Sequence, residues 1–501
     1  MVQTEAKRPR VYGNYRTPTS KGLAGLSTAA TALLLVGVIG AVMLIAFGQW
    51  TAAVLFVGVV LLLVLLSMVK NKHGRPLIER IIRRGQWANT VYTGANVYRA
   101  GPVSRVPGGA TQLPGISARS TISEHSDGYG RRFALIRVPQ SHHYTVVLGS
   151  EPDTGGLVDP EQIDTWVDRW SAWLGTLADD PTVAAAAVTI ETAPDSGYRL
   201  SRRVNDRVVE DASDFARRVV QEAVDGLPVG STTTRAYVSV TFKAASRSGG
   251  KFRSAEEVAN DLAARLPTIT QTLSATGASV AEALTAQELC EVITTAYDPH
   301  RQAQFDALHA RGTAPKLAWS EVGPQAADTF WDSYHHSLAW SKSWSMSVPP
   351  RSTVQANVLQ ALVAPSHDML RKRVTLLFRP IDPATAASLV EQDVNTATFN
   401  ASSRNRETAR DTRETRAARA TAAEEADGAA LLNFGLIVTA TVGEKADLPD
   451  AAATVGSLSG AAKIRLEEAF GAQDSTFAAG LPLGIVIPDH LKLPAAIRNA
   501  L

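Results

Sequence analysis

Two uninterrupted apolar runs dominate the pattern of this chain. Leu23 to Phe47 contains no charged residue, and neither does Ala52 to Val69; only Gly48, Gln49, Trp50 and Thr51 separate them. At about 1.5 Å per residue the first run is long enough for a hydrocarbon core of roughly 30 Å, and the second reaches that length with Trp50 and Thr51. So short a turn makes the two helices antiparallel neighbours. Gly25, Gly37, Gly40 and Gly58 lie along the runs and suit close helix packing. The pattern predicts a transmembrane helical hairpin over 23–69.

Charge flanks this hairpin on both sides. Lys7, Arg8, Arg10, Arg16 and Lys21 precede it, against Glu5 alone. Lys70, Lys72, Arg75, Arg80, Arg83 and Arg84 follow it, against Glu79 alone. Basic flanks at both ends predict a multi-pass protein of the cell membrane with both termini cytoplasmic. Residues 1–22 then form a basic tail. Trp50, Lys70, Lys72 and Arg75 would lie at the membrane interface, and the bilayer would be the first partner.

Beyond the hairpin the periodicity changes repeatedly. Leu77, Ile78, Ile81 and Ile82 oppose Arg80, Arg83 and Arg84, an amphipathic helix suited to a membrane surface or to the following domain. With the Gly- and Pro-rich loop after it, this makes a juxtamembrane unit over 70–115. Residues 116–300 alternate strands and helices. A meander is expected over 118–148, with a turn at Ser126-Asp127-Gly128. A helix from Pro160 presents Trp166, Trp170 and Trp173 on one face, which reads as a core stripe. Ser254 with Glu257, and Thr285 with Glu288, have the spacing of capping boxes. After a linker over 301–339, residues 340–501 give a second unit with strands at 340–348, 373–378 and 431–442, and one very long helix from Pro383 to about Asp427. The expected fold is α+β and membrane-anchored, with two cytoplasmic domains, the second ferredoxin-like.

Composition narrows the chemistry. A formal charge of +2 offers no chain-wide field for nucleic acid. The single Cys290 excludes an internal disulfide framework and any multi-cysteine metal site, and its apolar helical setting makes it a small buried hydrophobe. The pairs His142-His143 and His335-His336 would have to converge to hold a metal, and adjacent histidines point apart. Gly250-Lys251 approaches a phosphate-cradling loop, but Ala245 stands where its first glycine belongs and Phe252 where Ser or Thr belongs. No catalytic constellation emerges and no cofactor is expected. Arg404, Arg406, Arg410, Arg413, Arg416 and Arg419 alternate with acidic residues at helical spacing. They form either a solvated face or a docking surface for an acidic partner.

Several stretches carry a resemblance: VYGNYRTP at 11–18, YRAGPVSRVPGG at 98–109, SDGYGRRFAL at 126–135, HYTVVL at 143–148, AYDP at 296–299, RKRVTLLFRP at 371–380 and FAAGLPLG at 477–484. In these the chain resembles an actinobacterial family of two-helix membrane proteins associated with conjugation-like type IV secretion. That resemblance implies a non-catalytic inner-membrane scaffold, a membrane subunit joined to the amino-terminal half of the hub ATPase, which docks a separate ATPase within an oligomeric complex. The chain also resembles EccE of type VII secretion, which implies a different membrane complex. A membrane-tethered enzyme whose site is assembled from distant positions is a third expectation.

Overall fold

The computed structural model describes residues 12–13, 15, 28–69, 71, 75–101, 104, 110–150, 158–194, 213–226, 232–245, 252–350, 353–402 and 408–491. The apolar runs fold as α1 (Thr28–Ala46) and α2 (Trp50–Met68), packed on each other across a turn at Gly48, whose φ is +72°. A Cβ on Gly37 would come within 2.5 Å of Val60, and one on Gly40 within 2.7 Å of Phe56, so these two glycines set the closeness of the pair. Gly58 faces open space, and Gly25 lies outside the described residues.

The structure corrects the membrane assignment. The first helix is described over Thr28–Ala46, and 23–27 lie outside the described residues. Each helix has 19 residues, a rise of about 28 Å against a core of roughly 30 Å. No helix among the described residues is long and apolar enough to cross a membrane. The expected membrane-anchored fold, and with it the multi-pass topology with cytoplasmic termini, is overturned. The architecture is α+β, built on one large antiparallel sheet.

After α3 (Leu77–Tyr92) and β1 (Val97–Arg99) the chain runs through two similar halves. The first comprises β2 (Thr121–Ser126), β3 (Arg132–Val138), β4 (His143–Ser150), α4 (Pro160–Ala178), β5 (Val183–Pro194), α5 (Asp214–Gly226), β6 (Thr232–Lys243), α6 (Ala255–Ser274), β7 (Glu282–Ala283) and α7 (Ala286–Tyr297). Helix α8 (Arg301–Ala310) connects to the second half. That half comprises β8 (Ala326–Thr329), β9 (Tyr334–His336), β10 (Ala339–Val348), α9 (Gln360–Val363), β11 (Arg371–Pro380), α10 (Pro383–Ser402), α11 (Ala409–Ala426), β12 (Leu432–Val442), α12 (Leu448–Ala461), β13 (Arg465–Glu468) and α13 (Gln473–Ala479). The supposed linker 301–339 therefore carries α8, β8 and β9. Both sequence-predicted capping boxes form, at Ser254 and Thr285.

The 13 strands make one sheet in the order β1-β8-β9-β10-β12-β11-β5-β6-β4-β3-β2, with β13 added to β10 and β7 to β4. The second unit is thus not a separate ferredoxin-like domain. Its strand β11 pairs with β5 from Lys372 to Phe378, and the two halves share one ladder. Their order is the same on either side of that seam, 5-6-4-3-2 against 11-12-10-9-8. The registers agree as well. Leu148 pairs with Val238 and Ala283; Trp344 pairs with Val438 and Glu468. Matching hydroxyl contacts cross the sheet at Thr145–Thr241 (3.1 Å) and Ser341–Thr441 (2.8 Å). The chain is an internal repeat around a pseudo-twofold axis between β5 and β11.

Alternation puts two cores on one face of the sheet and one on the other. On the first face, Leu135, Val146, Val240 and Phe242 pack against α4 and α6, while Val374, Val438 and Ala440 pack with Leu362 of α9 and Val455 of α12. Trp173 of the predicted aromatic stripe is buried there and stacks on Trp170 at 5.0 Å. On the second face, Val147, Tyr237 and Ile437 lie under Cys290 and Ile293 of α7, Phe477 of α13, and the carboxy-terminal Leu481 and Leu483. Thr375 donates to the carbonyl of Gly480 at 2.8 Å, and Thr241 donates to that of Gly484 at 3.2 Å, so hydroxyls of the sheet hold this last segment.

The second face also buries charge beside the seam. Glu191 of β5 receives Arg371 and Arg373 of β11; Arg373 donates from Nη2 at 2.8 Å and from Nε at 3.1 Å. Burial works to raise the Glu191 carboxyl, but the two guanidiniums overcome it and hold it below its usual range. Removing this carboxylate leaves two buried cations without their counter-charge. Glu191→Ala is expected to destabilise the fold by about 3–5 kcal/mol, read as a lower midpoint in chemical denaturation; an unchanged midpoint would show that the halves do not depend on this cluster.

Candidate functional site

Three outer surfaces and one buried polar network are the places where function could reside. The first surface is the apolar pair. Val36 is 62% exposed, Met43 57% and Leu61 59%, so no described residue covers the outer sides of α1 and α2. Trp50 is exposed at the start of α2. Lys70 and Lys72 lie outside the described residues. Arg75, expected at a membrane interface, instead joins the sheet: its Nε is 2.6 Å from Glu467 of β13.

That contact belongs to the seat of α3. Arg83 reaches the same Glu467 at 3.6 Å, and both arginines also bind Glu79 of their own helix, at 2.8 and 3.0 Å. Arg84 lies 5.7 Å from the ring of Trp331, and Trp87 meets that ring edge-on at 6.0 Å. Trp331 is itself stacked on Phe470. The basic amphipathic segment therefore binds the body of the protein through an acidic residue on an edge strand and an aromatic at a hairpin turn. Ile81 and Ile82 stay exposed.

The second surface is the arginine-rich segment. The single long helix expected from Pro383 to Asp427 is two helices, α10 and α11, packed on each other. They leave the sheet at the end of β11 and return at the start of β12. The seam between them is made of small residues, with Ala397 and Ala418 buried, and Thr408 with Asp411 forms a capping box that starts α11 afresh. Arg413, Arg416 and Arg419 are exposed on α11. Arg410 belongs to the same helix, and Arg404 and Arg406 lie outside the described residues.

The third surface is a cleft of about 1120 Å³ in the first half, between the β2–β3 turn, β7 and helices α7 and α8. Arg131, Arg132, Arg235, His309, Glu282, Glu288, Glu291 and Asp306 line it with Tyr237. Most of these charges are engaged locally. Arg131 binds Asp127 at 2.8 Å, Arg132 binds Glu124 at 3.1 Å, and His309 binds Glu291 at 2.6 Å. Glu288 caps α7. Arg235 lines the cleft with Tyr237, to which it is hydrogen-bonded, and also feels the charge of the buried Glu191. This cleft was not legible in the sequence, because its lining comes from positions between 127 and 310.

The histidine pairs do not converge. His142 stacks on Phe252, and His143 sits 3.6 Å from Asp489. His335 stacks on Trp340 in the other half. His336 is wholly buried in a polar chain. Its Nδ1 donates to the carbonyl of Tyr297 at 2.6 Å, because that oxygen only accepts; Nε2 therefore accepts from Ser341 at 2.7 Å. Burial pushes His336 down to about 3 and His143 down to about 4, with Asp489 opposing the latter. Among the described residues no group of three His, Cys, Asp or Glu side chains is placed to hold a metal ion. Cys290 is buried, and burial pushes its thiol up to about 12.

Residues 19–79 match a family model described as a domain of unknown function, DUF8461; this similarity covers α1, α2 and the start of α3. No curated protein matches the chain. These comparisons give no support to the secretion or conjugation role that the sequence resemblance implied.

The buried histidines set a pH dependence. Both are neutral when folded and take up a proton near pH 6.5 when unfolded, so their contribution is complete above that pH and is lost as pH falls toward 4. Stability measured by denaturant titration is expected to decline already between about pH 6.5 and 5, above the carboxylate range. The decline should be shallower in His336→Gln. Equal slopes in the two proteins would contradict the assignment.

Proposed function

We propose that this chain is a non-catalytic scaffold subunit, attached through its apolar helix pair and offering its helical arm to another protein. The observation that carries the reading is the uncovered apolar surface of α1 and α2. Apolar patches of this extent on a folded chain mark a contact surface. Outward Val, Leu, Ile and Met side chains occur along both helices, and the attachment we propose is the apolar face of another subunit packed on the pair.

The arm supplies the second contact. Helix α11 is polar on its outer side, and its interior seam is already satisfied by α10. A helix of this kind is either solvent-bridging or paired with a partner. Exposed arginines among carboxylates set partner choice and association rate more than affinity. The partner is an acidic surface on a separate protein, a separate ATPase on the earlier resemblance.

Two measurements test this reading. The subunit held at the helix pair is expected to stay bound in high salt during co-purification, because the contact is apolar. Its release by salt alone would overturn the attachment. The triple variant Arg413→Glu, Arg416→Glu, Arg419→Glu is expected to keep its circular dichroism and its apolar contact while co-purifying several-fold less of the arm's partner at low salt. Undiminished recovery would leave α11 a solvated face.

A further inference from the structure

Three arginines share one buried carboxylate beside the seam. Strand register sets Arg235 of β6, Glu191 of β5 and Arg373 of β11 side by side on the second face. Arg371 precedes Arg373 by one period of the strand and faces the same way. Both oxygens of Glu191 are taken from the β11 side, Oε1 by Arg371 and Oε2 by two nitrogens of Arg373. Arg235 is left with the hydroxyl of Tyr237 and forms no ion pair among the described residues.

Donors are left over as well. Arg371 Nε and Arg373 Nη1 are buried with no hydrogen-bond acceptor among the described residues. The Arg373 guanidinium lies 5.4 Å from the centre of the Phe477 ring, whose face serves part of its charge. Asp306 of α8 is the other acid that acts on Arg235, and its Oδ1 accepts from Gln302 at 2.9 Å. Three guanidiniums therefore face two carboxylates, and burial makes that surplus of positive charge costly.

The 1120 Å³ cleft opens onto this cluster. Arg235, Tyr237, Gln302 and Asp306 line it, and Gln302 accepts from Arg371 Nη2 at 3.2 Å. The volume is far more than a lone ion fills, and Leu266, Val292 and Phe305 give the cleft an apolar wall. The other charges of the lining are engaged elsewhere: Arg131 with Asp127, Arg132 with Glu124, Glu291 with His309, and Glu288 with the start of α7. Glu282 is exposed.

We infer that the cleft binds an organic oxyanion, a carboxylate or phosphate carried on an apolar body, with the anionic group on Arg235 and the body against Val292 and Phe305. The guanidinium fork matches the paired oxygens of either group, and the ligand supplies the negative charge that the cluster lacks. The site is separate from the helix pair and the arm and does not depend on the function proposed for them.

Octanoate and octyl phosphate are the probes, titrated by calorimetry into the full chain, with octanol as the uncharged control. Saturable binding of at least one anion is expected below about 1 mM, and none of octanol. Arg235→Gln is expected to weaken it at least about tenfold. Asp306→Asn removes the acid that competes for Arg235 and is expected to tighten it about twofold or more. That second variant decides the matter if circular dichroism shows Arg235→Gln unfolded. The tighter of the two probes identifies the head group. Loss in the first variant or gain in the second supports the inference. It is overturned by no saturation up to about 5 mM anion, by octanol binding as tightly as the anions, or by unchanged affinity in both variants, the result that adsorption to the exposed helix pair would give.

Discussion

The pairing of β5 with β11 is the constraint on which the rest of the molecule depends. Among the described residues it is the only place where the two halves become one ladder, and its register puts Thr189 opposite Thr375 at the pseudo-twofold axis. Thr375 donates to Gly480, so Thr189 must be the donor across the 3.1 Å contact between them. A few residues along, the same register brings Glu191 against Arg373. Taking these charges out of water costs several kcal/mol per ion, and only good geometry offsets it. The cluster therefore enforces one register more strongly than apolar contacts would. A one-residue slip would carry Glu191 and its arginines to opposite faces of the sheet.

Symmetry at the centre lets the periphery differ. Both central hairpins, β5–β6 and β11–β12, carry inserted helices, α5 in one and the α10–α11 pair in the other. Because the halves are related by a twofold axis in an antiparallel sheet, these insertions leave opposite ends of the sheet. The outer edges differ as well. The free side of β8 is closed by β1, with Val97 opposite Asp328, whereas no strand pairs with the outer side of β2 among the described residues. Occupied in one half and open in the other, the same elements serve as structure on one side and as surface on the other.

The apolar helices attach to this body through α3 rather than through the sheet. Arg75, Arg83, Arg84 and Trp87 tie α3 to Glu467 and Trp331, so the orientation of the pair follows from one edge strand and one turn. The amino-terminal segment adds a second tie. Tyr12 bridges Val354 and donates its hydroxyl to Asp164 of α4 at 3.0 Å, and Tyr15 packs on Phe434. The chain is thus held to the body on both sides of the helix pair.

Local signals were sufficient wherever a residue's role is decided by its neighbours in sequence. The capping boxes at Ser254 and Thr285, the core stripe ending in Trp173, buried Cys290 and most strand positions followed from periodicity and side-chain chemistry alone. The paired apolar helices were legible too, including the close approach at Gly37 and Gly40. The break between α10 and α11 was missed: alternating charge suits one long helix or two short ones equally, and only the return to β12 demands the turn. What the tertiary structure alone decided is everything that joins distant positions. The sheet that unites both halves and the burial of Glu191 with Arg371 and Arg373 arise from strand pairings between residues far apart in sequence. Period-two alternation tells a strand which face is buried but not which strand lies beside it.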